Sequence, residues 1–256
     1  MEDFIAIFDS GIGGLTVYSK IKELLPNENI VYLADTVNCP YGTKTIEEIN
    51  KITNNNIKYL KGLGAKVVVI ACNTATSSVL EEINASKGYI QGVIEPTAKL
   101  ALNTTTNNKI GIFATNLTIS SGVYETYLDK VTVFPEGCSD FVPVIEEGDF
   151  SSDKMKTMIK NHLTKVVGAD TLILGCTHFP YIKESIKELS PNLKLVESGL
   201  PLANEVIKYL NDNNAINHNN QKAKHVFLTT SSIEKARKQL KILNVTFDEV
   251  NEVTIE

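Results

Sequence analysis

Two cysteines stand where their surroundings could do chemistry. Cys72 follows the apolar run Val68-Val69-Ile70-Ala71 and precedes Asn73 and Thr74. Cys176 follows Leu172-Ile173-Leu174-Gly175 and precedes Thr177 and His178. A lone free cysteine is often just a small buried hydrophobe. Two at matching strand ends, each followed by hydroxyl or amide side chains, point instead to function. A thiol titrates near pH 8.5 (about) in model peptides, so modest tuning leaves one cysteine as thiolate and the other protonated. Such a pair can take a proton from one face of a carbon and return one to the other, the task of inverting a stereocentre. General acid–base work favours groups titrating near the working pH. The carbanion formed between the thiols needs hydrogen-bond donors around it. Ser10, Asn73, Thr74, Thr115 and Thr177 are suitable types. Cys39 and Cys138 lack this setting, and Cys39, beside Pro40-Tyr41-Gly42, is taken as incidental.

The elements that must hold these residues alternate between strand and helix. Phe4 to Phe8 reads as a buried strand ending at Asp9, and Leu15, Tyr18, Ile21 and Leu25 recur at helical spacing until Pro26. Ile30 to Leu33 is a second strand. Thr45 and Glu48 form a capping-box pattern opening a helix to about Leu60. Val67 to Ala71 is apolar without alternation, as in a parallel strand covered on both faces. Further strands are expected at Ile110–Ala114, Thr171–Gly175 and Leu193–Val196, an asparagine-rich loop at 211–221, and a closing strand and helix at His225–Leu228 and Ile233–Leu243. This alternation predicts an α/β protein with parallel sheets.

An internal echo suggests two similar halves. Ile5-Ala6-Ile7-Phe8 matches Ile110-Gly111-Ile112-Phe113, and the interval from Asp9 to Cys72 is 63 residues against 62 from Ala114 to Cys176. In open parallel sheets, ligands bind beyond the carboxyl ends of strands, where Asp9-Ser10-Gly11-Ile12-Gly13-Gly14 and the two cysteine segments fall. Gly11, Gly13 and Gly14 fit neither the dinucleotide nor the nucleoside-triphosphate fingerprint, because Thr16 takes the last glycine position. The expectation is a tight strand-to-helix turn, which also exposes amides at a helix N-terminus where a carboxylate can bind.

Composition removes other classes. The net charge is -5 and Arg237 is the only arginine, so no basic footprint for nucleic acid is present. The start Met1-Glu2-Asp3-Phe4-Ile5 is not a signal peptide, and no apolar run is long enough to span a bilayer. A cytoplasmic protein with free thiols is expected. None of the four cysteines sits in a C-x-x-C pair, so no zinc site is expected.

The motifs Phe8-Asp9-Ser10-Gly11-Ile12-Gly13-Gly14-Leu15-Thr16-Val17, Pro40-Tyr41-Gly42-Thr43-Lys44, Ala71-Cys72-Asn73-Thr74-Ala75, Gly92-Val93-Ile94-Glu95-Pro96, Phe141-Val142-Pro143-Val144-Ile145-Glu146-Glu147 and Leu174-Gly175-Cys176-Thr177-His178-Phe179-Pro180 resemble, in order, those of the glutamate racemases. The likeness covers nearly the whole chain. It implies two pseudo-symmetric flavodoxin-like α/β domains with the site in the cleft between them, assigned here to residues 1–93 plus 207–256 and to 94–206. It also implies interconversion of L- and D-glutamate without pyridoxal phosphate, metal or other cofactor, with D-glutamate feeding peptidoglycan synthesis. By position, Cys72 and Cys176 are the acid/base pair, assisted by Asp9 and His178, with Glu146 near His178; the adjacent Glu147 is its alternative. Ser10, Pro40, Tyr41, Gly42, Asn73, Thr74, Thr115, Thr118 and Thr177 complete the substrate site. Spacing leaves open which thiol serves which enantiomer; family precedent pairs Cys72 with D-glutamate and Cys176 with L-glutamate. A homodimer is expected, and no nucleic-acid or membrane partner.

The chain departs from the family pattern at Val37-Asn38-Cys39, where Ala-Arg-Val is typical, at Glu197-Ser198-Gly199 for Asp-Ser-Gly, and at Ala114-Thr115 for Gly-Thr. None of these removes a catalytic group. No long extension precedes Asp9, so precursor-activated regulation is not expected. Three rivals stand beside this reading. An enzyme of the same type acting on aspartate is disfavoured by His178, since similar aspartate racemases tend to carry Glu there. A covalent cysteine mechanism would leave a trappable thioether. A two-lobed binding protein would explain a cleft but not matched cysteines.

Overall fold

Buried apolar runs and amphipathic segments alternate along the chain to give two parallel sheets wrapped by helices. The computed structural model describes residues 3–218 and 222–255. Its strands are β1 (Phe4–Asp9), β2 (Ile30–Ala34), β3 (Ala65–Ile70), β4 (Ile90–Gly92), β5 (Lys109–Ala114), β6 (Thr132–Gly137), β7 (Thr171–Gly175), β8 (Lys194–Val196), β9 (His225–Thr229) and β10 (Glu249–Glu252). Its helices are α1 (Leu15–Leu24), α2 (Ile46–Gly62), α3 (Asn73–Ser78), α4 (Leu80–Ala85), α5 (Ile94–Thr104), α6 (Asn116–Ser120), α7 (Val123–Tyr127), α8 (Phe141–Glu146), α9 (Asp153–Leu163), α10 (Lys183–Leu189), α11 (Gly199–Asp212) and α12 (Ile233–Ile242). The expected capping box is present: Thr45 Oγ1 accepts from the Glu48 amide and Glu48 accepts from the Thr45 amide. Residues 1–2 and the last part of the asparagine-rich loop, 219–221, lie outside the described residues.

The first sheet has the order β10-β9-β2-β1-β3-β4 and the second β6-β5-β7-β8. Every pairing is parallel. Both contain the same winding, second-first-third-fourth, the flavodoxin-like α/β architecture expected. In each, strand order reverses between the first and third strands, and crevices for ligands open at such switch points. The end of the chain returns to the first sheet, where Leu228 of β9 pairs with Leu33 of β2. The expected division at 206/207 falls inside α11, which runs unbroken through that point.

Alternate residues of each strand feed opposite cores. Ile5 and Ile7 face a cluster that also holds Ile110 and Ile112 of β5, Tyr18 and Ile21 of α1, Ala98 of α5 and Leu202 and Val206 of α11. Phe4, Ala6 and Phe8 face a second cluster with Val68, Ile70, Ile49 and Leu60. Phe113, Leu172 and Leu174 face a third, with Phe141, Met155 and Ile159. One apolar core thus continues from sheet to sheet through α1, α5 and α11. It fixes the two switch points relative to each other.

Candidate active site

The register of the two sheets makes the cysteines equivalent. Phe8 pairs with Ile70, and Phe113 with Leu174. Two residues further along each pair of strands stand Ser10 with Cys72, and Thr115 with Cys176. Each thiol therefore leaves its strand next to a hydroxyl residue that stands just past the end of the neighbouring strand. Both line one cavity of about 380 Å³ with Ser10, Asn73, Thr177 and His178, within the usual size for a small-molecule site.

Cys72 is 6 % exposed. Its Sγ accepts the Ala75 amide at 3.4 Å, capping α3, and lies 3.8 Å from Ser10 Oγ. Burial pushes the thiol well above its ordinary range, and negative charge at Asp9 adds to this; the Ala75 amide opposes it. Cys72 therefore rests as a thiol, able to give a proton. Asp9, fully buried, accepts the Gly11 and Gly14 amides on Oδ2 at 3.2 and 3.0 Å and the Thr177 hydroxyl on Oδ1 at 3.3 Å. Burial raises its carboxyl above the ordinary value, partly offset by His178 and the two amides.

The surroundings of Cys176 differ. His178 Nδ1 is 3.8 Å from Cys176 Sγ, and His178 Nε2 is 3.3 Å from Glu146 Oε1. Burial alone would strip the ring of its proton. The hydrogen bonds to Cys176 and Glu146 and the negative charge at Cys176 and Asp9 outweigh it, holding His178 up at about 10. The ring is thus an imidazolium donating to both sides. Glu146 is held below the ordinary carboxylate range by the His178 hydrogen bond, against burial. Glu146, and not its neighbour Glu147, supplies that carboxylate.

The polar wall is partly committed and partly free. Asn73 Oδ1 accepts from the Tyr124 hydroxyl, while among the described residues its buried Nδ2 has no partner. That donor is available for a ligand. Thr74, Thr115 and Thr118 join in a triangle of hydroxyls at 2.9, 3.1 and 2.9 Å, linking α3 to α6. Thr118 sits in this triangle behind the cavity wall.

Two local expectations change. The Gly11 and Gly14 amides, where a carboxylate can bind, are taken by the chain's own Asp9 and not left for a ligand. A carboxylate tethered five residues away or fewer outcompetes a free one for the same turn. Gly13 is needed for a different reason: a Cβ there would lie 2.5 Å from Thr177 Oγ1 and 2.6 Å from His178 Nδ1. Tyr41 is near the site, but its hydroxyl donates to the buried Asp35 at 2.6 Å. Asn38, Asn56 and Thr230 also donate to Asp35, which anchors the 38–43 turn. Pro40, Tyr41 and Gly42 do line the cavity. So does Cys39, which the sequence reading set aside; burial pushes its thiol up to about 12. Lys235 and Gln239 of α12 also line it and were missed. No motif marks them, and only the pairing of β9 with β2 brings α12 to the cavity.

The arrangement offers two buried thiols on matching strand ends of one cavity. One is flanked by Asp9 and Ser10, the other by an imidazolium–carboxylate pair. Among the described residues no cluster of three or more His, Cys, Asp or Glu side chains could hold a metal ion.

Comparison with known proteins shows which family and fold the chain shares. The family described as Asp/Glu/Hydantoin racemase matches residues 5–205. A glutamate racemase of Bacillus cereus is 39% identical over 237 residues, covering 90% of this chain and 88% of that protein. The crystal structure of glutamate racemase from Thermus thermophilus, in complex with β-chloro-D-alanine, superposes with a TM-score of 0.92 at 31% identity, covering 99% of this chain and 97% of the other. That from Francisella tularensis, in complex with D-glutamate, gives 0.90 at 31%, covering 99% and 98%.

Proposed function

The chain belongs to the Asp/Glu/Hydantoin racemase family, and we propose that it interconverts L- and D-glutamate by a two-thiol mechanism. The observation that carries this is the register-equivalent pair, Cys72 and Cys176, lining one cavity. In the L-to-D direction Cys176, as thiolate, takes the α-proton from one face. The Cys72 thiol gives its proton to the opposite face. Cys176 is left as thiol and Cys72 as thiolate, and the reverse reaction runs the steps backwards. His178, kept protonated by its bond to Glu146, holds positive charge beside Cys176; Asp9 and Ser10 serve Cys72. The free Asn73 Nδ2 and the Ser10 hydroxyl bind the α-carboxylate and stabilise charge delocalised onto it, and the hydroxyls of Thr74, Thr115 and Thr177, engaged with the chain's own groups at rest, turn to it when substrate enters.

The mechanism draws on the chain's own groups and calls for no cofactor. The two catalytic units are residues 1–93 with 207–256 and residues 94–206, joined through α11. The role that follows is supply of D-glutamate for peptidoglycan, in the cytoplasm, by a homodimer. Among the described residues no helix is long and apolar enough to cross a membrane.

The test is incubation of each glutamate enantiomer in deuterium oxide. Rapid α-deuteration with loss of optical activity is the expected result. Full activity in both Cys72→Ser and Cys176→Ser would refute the two-thiol step, and faster turnover of aspartate would refute the substrate.

A further inference from the structure

His162 stands in the last turn of α9 and does not line the cavity. Its ring Nδ1 lies 2.7 Å from Glu136 Oε1 in β6, and its Nε2 lies 3.1 and 3.2 Å from the two carboxylate oxygens of Asp140. Both nitrogens face carboxylates, and a ring carrying both protons donates to each. Glu136 is a fixed point, because β6 is paired along its whole length with β5. Asp140 stands directly before α8, where an aspartate ordinarily accepts from the first helical amides. Among the described residues it accepts none of them, and its carboxylate goes to His162 instead. The helix is only six residues long and ends at Glu146, whose Oε1 lies 3.3 Å from His178 Nε2. An anchor at the start of so short a helix governs where its last residue points. A second connection runs through aromatic rings. His162 meets Phe141, the first residue of α8, edge to face with 4.9 Å between centroids. Phe141 meets Phe179 in the same way at 5.4 Å, and Phe179 directly follows His178. Phe141 and Phe179 are fully buried. Both connections end on the His178–Glu146 pair.

We propose that His162 is a positioning residue for the reaction: by tying Asp140 to Glu136 it fixes the start of α8 against β6, and so aims Glu146 at His178. The inference rests on the two-thiol reading, in which His178 serves Cys176. The ring itself touches no substrate and acts through Glu146.

The experiment compares wild type with His162→Phe, His162→Gln and Asp140→Ala. It follows the His178 ring protons by NMR titration, with the resonance assigned by its loss in His178→Gln, and measures kcat and KM for both glutamate enantiomers. His162→Phe keeps an aromatic ring against Phe141 but removes both donors. Its His178 titration should fall from about 10 by roughly one pH unit, part of the worth of a hydrogen bond to a charged group. Its kcat should drop up to about tenfold, the rate equivalent of that unit, with KM changing less. Asp140→Ala, at a half-exposed side chain, should act in the same direction without disturbing the largely buried His162 ring. His162→Gln places an amide donor near the position of Nε2 and should restore most of both losses. In a Glu146→Gln background His162→Phe should lower the titration no further, because the carboxylate it acts through is gone. An unchanged titration in folded His162→Phe and Asp140→Ala proteins, or an equal fall in the Glu146→Gln background, overturns this proposal. A wild type inert toward glutamate overturns the reaction reading instead, and the His178 titration still decides the role of His162.

Discussion

The Tyr124 hydroxyl donates to Asn73 Oδ1 at 2.7 Å, reaching from α7 beside the second sheet to the segment just after Cys72. Tyr124 is 1 % exposed, so this bond is shielded from water. It fixes which end of the Asn73 amide faces the cavity. Oδ1 is occupied, and the Nδ2 donor is turned toward a ligand.

Tyr124→Phe should therefore raise KM in both directions by roughly fivefold, the worth of one net hydrogen bond, and lower kcat less. It should also cost about 1–3 kcal/mol of stability, because Oδ1 is left buried without a donor. Steady-state kinetics with both enantiomers and urea titration check this. Unchanged KM would mean the amide is held by other contacts.

Cys72→Ser and Cys176→Ser should each lose racemisation by on the order of 10²–10⁴, the usual contribution of a positioned acid or base. A serine hydroxyl is too weak an acid to exchange roles with a thiolate. Each variant should still exchange the α-proton slowly on the enantiomer facing its remaining thiol, without inversion. Mass spectrometry and polarimetry on the same sample separate the two outcomes. Inversion at wild-type rate by either variant contradicts the pairing.

His178 is raised from an ordinary 6.5 to about 10. A raised pKa adds stability that is complete below the unfolded value and fades as pH climbs through the folded one. The window of loss is therefore pH 6.5 to 10. His178→Gln should be less stable than wild type by on the order of 2 kcal/mol at pH 6, with the gap closing toward pH 10. Urea midpoints across that range test it, and a gap independent of pH would locate the effect in packing. Glu146→Gln should bring the imidazole titration down, visible by NMR of the ring protons, because the carboxylate accepting from Nε2 is gone.

Gly13→Ala places a methyl 2.5 Å from Thr177 Oγ1 and 2.6 Å from His178 Nδ1. One of these must move. The variant should lose about 1–3 kcal/mol, the cost of overpacking. It should lose activity out of proportion to stability, since the displaced groups flank Cys176. Thermal melting against kcat/KM distinguishes this from simple unfolding.

The central strands could be recognised from the amino-acid order because β1, β3, β5 and β7 are buried on both faces and read as unbroken apolar runs. Of the edge strands, β8 is legible as the run Leu193–Val196, but β4, β6 and β10 are not. Pro135 interrupts β6, whose residues are only partly buried, and β10 is the polar, exposed Glu249-Val250-Asn251-Glu252. Their pairing comes from a neighbouring strand, not from local pattern. The site follows the same rule. Asp9, Cys72, Thr115 and Cys176 are visible because each ends an apolar run. Which donors are already engaged is a long-range fact. The Tyr41 hydroxyl is taken by Asp35, and the Gly11 and Gly14 amides by Asp9. Lys235 and Gln239 lie on an ordinary polar helix, and only tertiary packing brings them to the cavity.

The unlike surroundings of the two thiols carry a thermodynamic restriction. Mirror-image amino acids have equal free energies in water, so under the proposed reaction the equilibrium constant is one. The Haldane relation then forces kcat/KM to be identical for the two enantiomers, whatever His178 and Glu146 do for one thiol and Asp9 and Ser10 for the other. The asymmetry can only tighten binding of one enantiomer while slowing its turnover by the same factor. A near-twofold protein frame handling near-mirror substrates is thus free to differ in detail on its two sides without acquiring a direction.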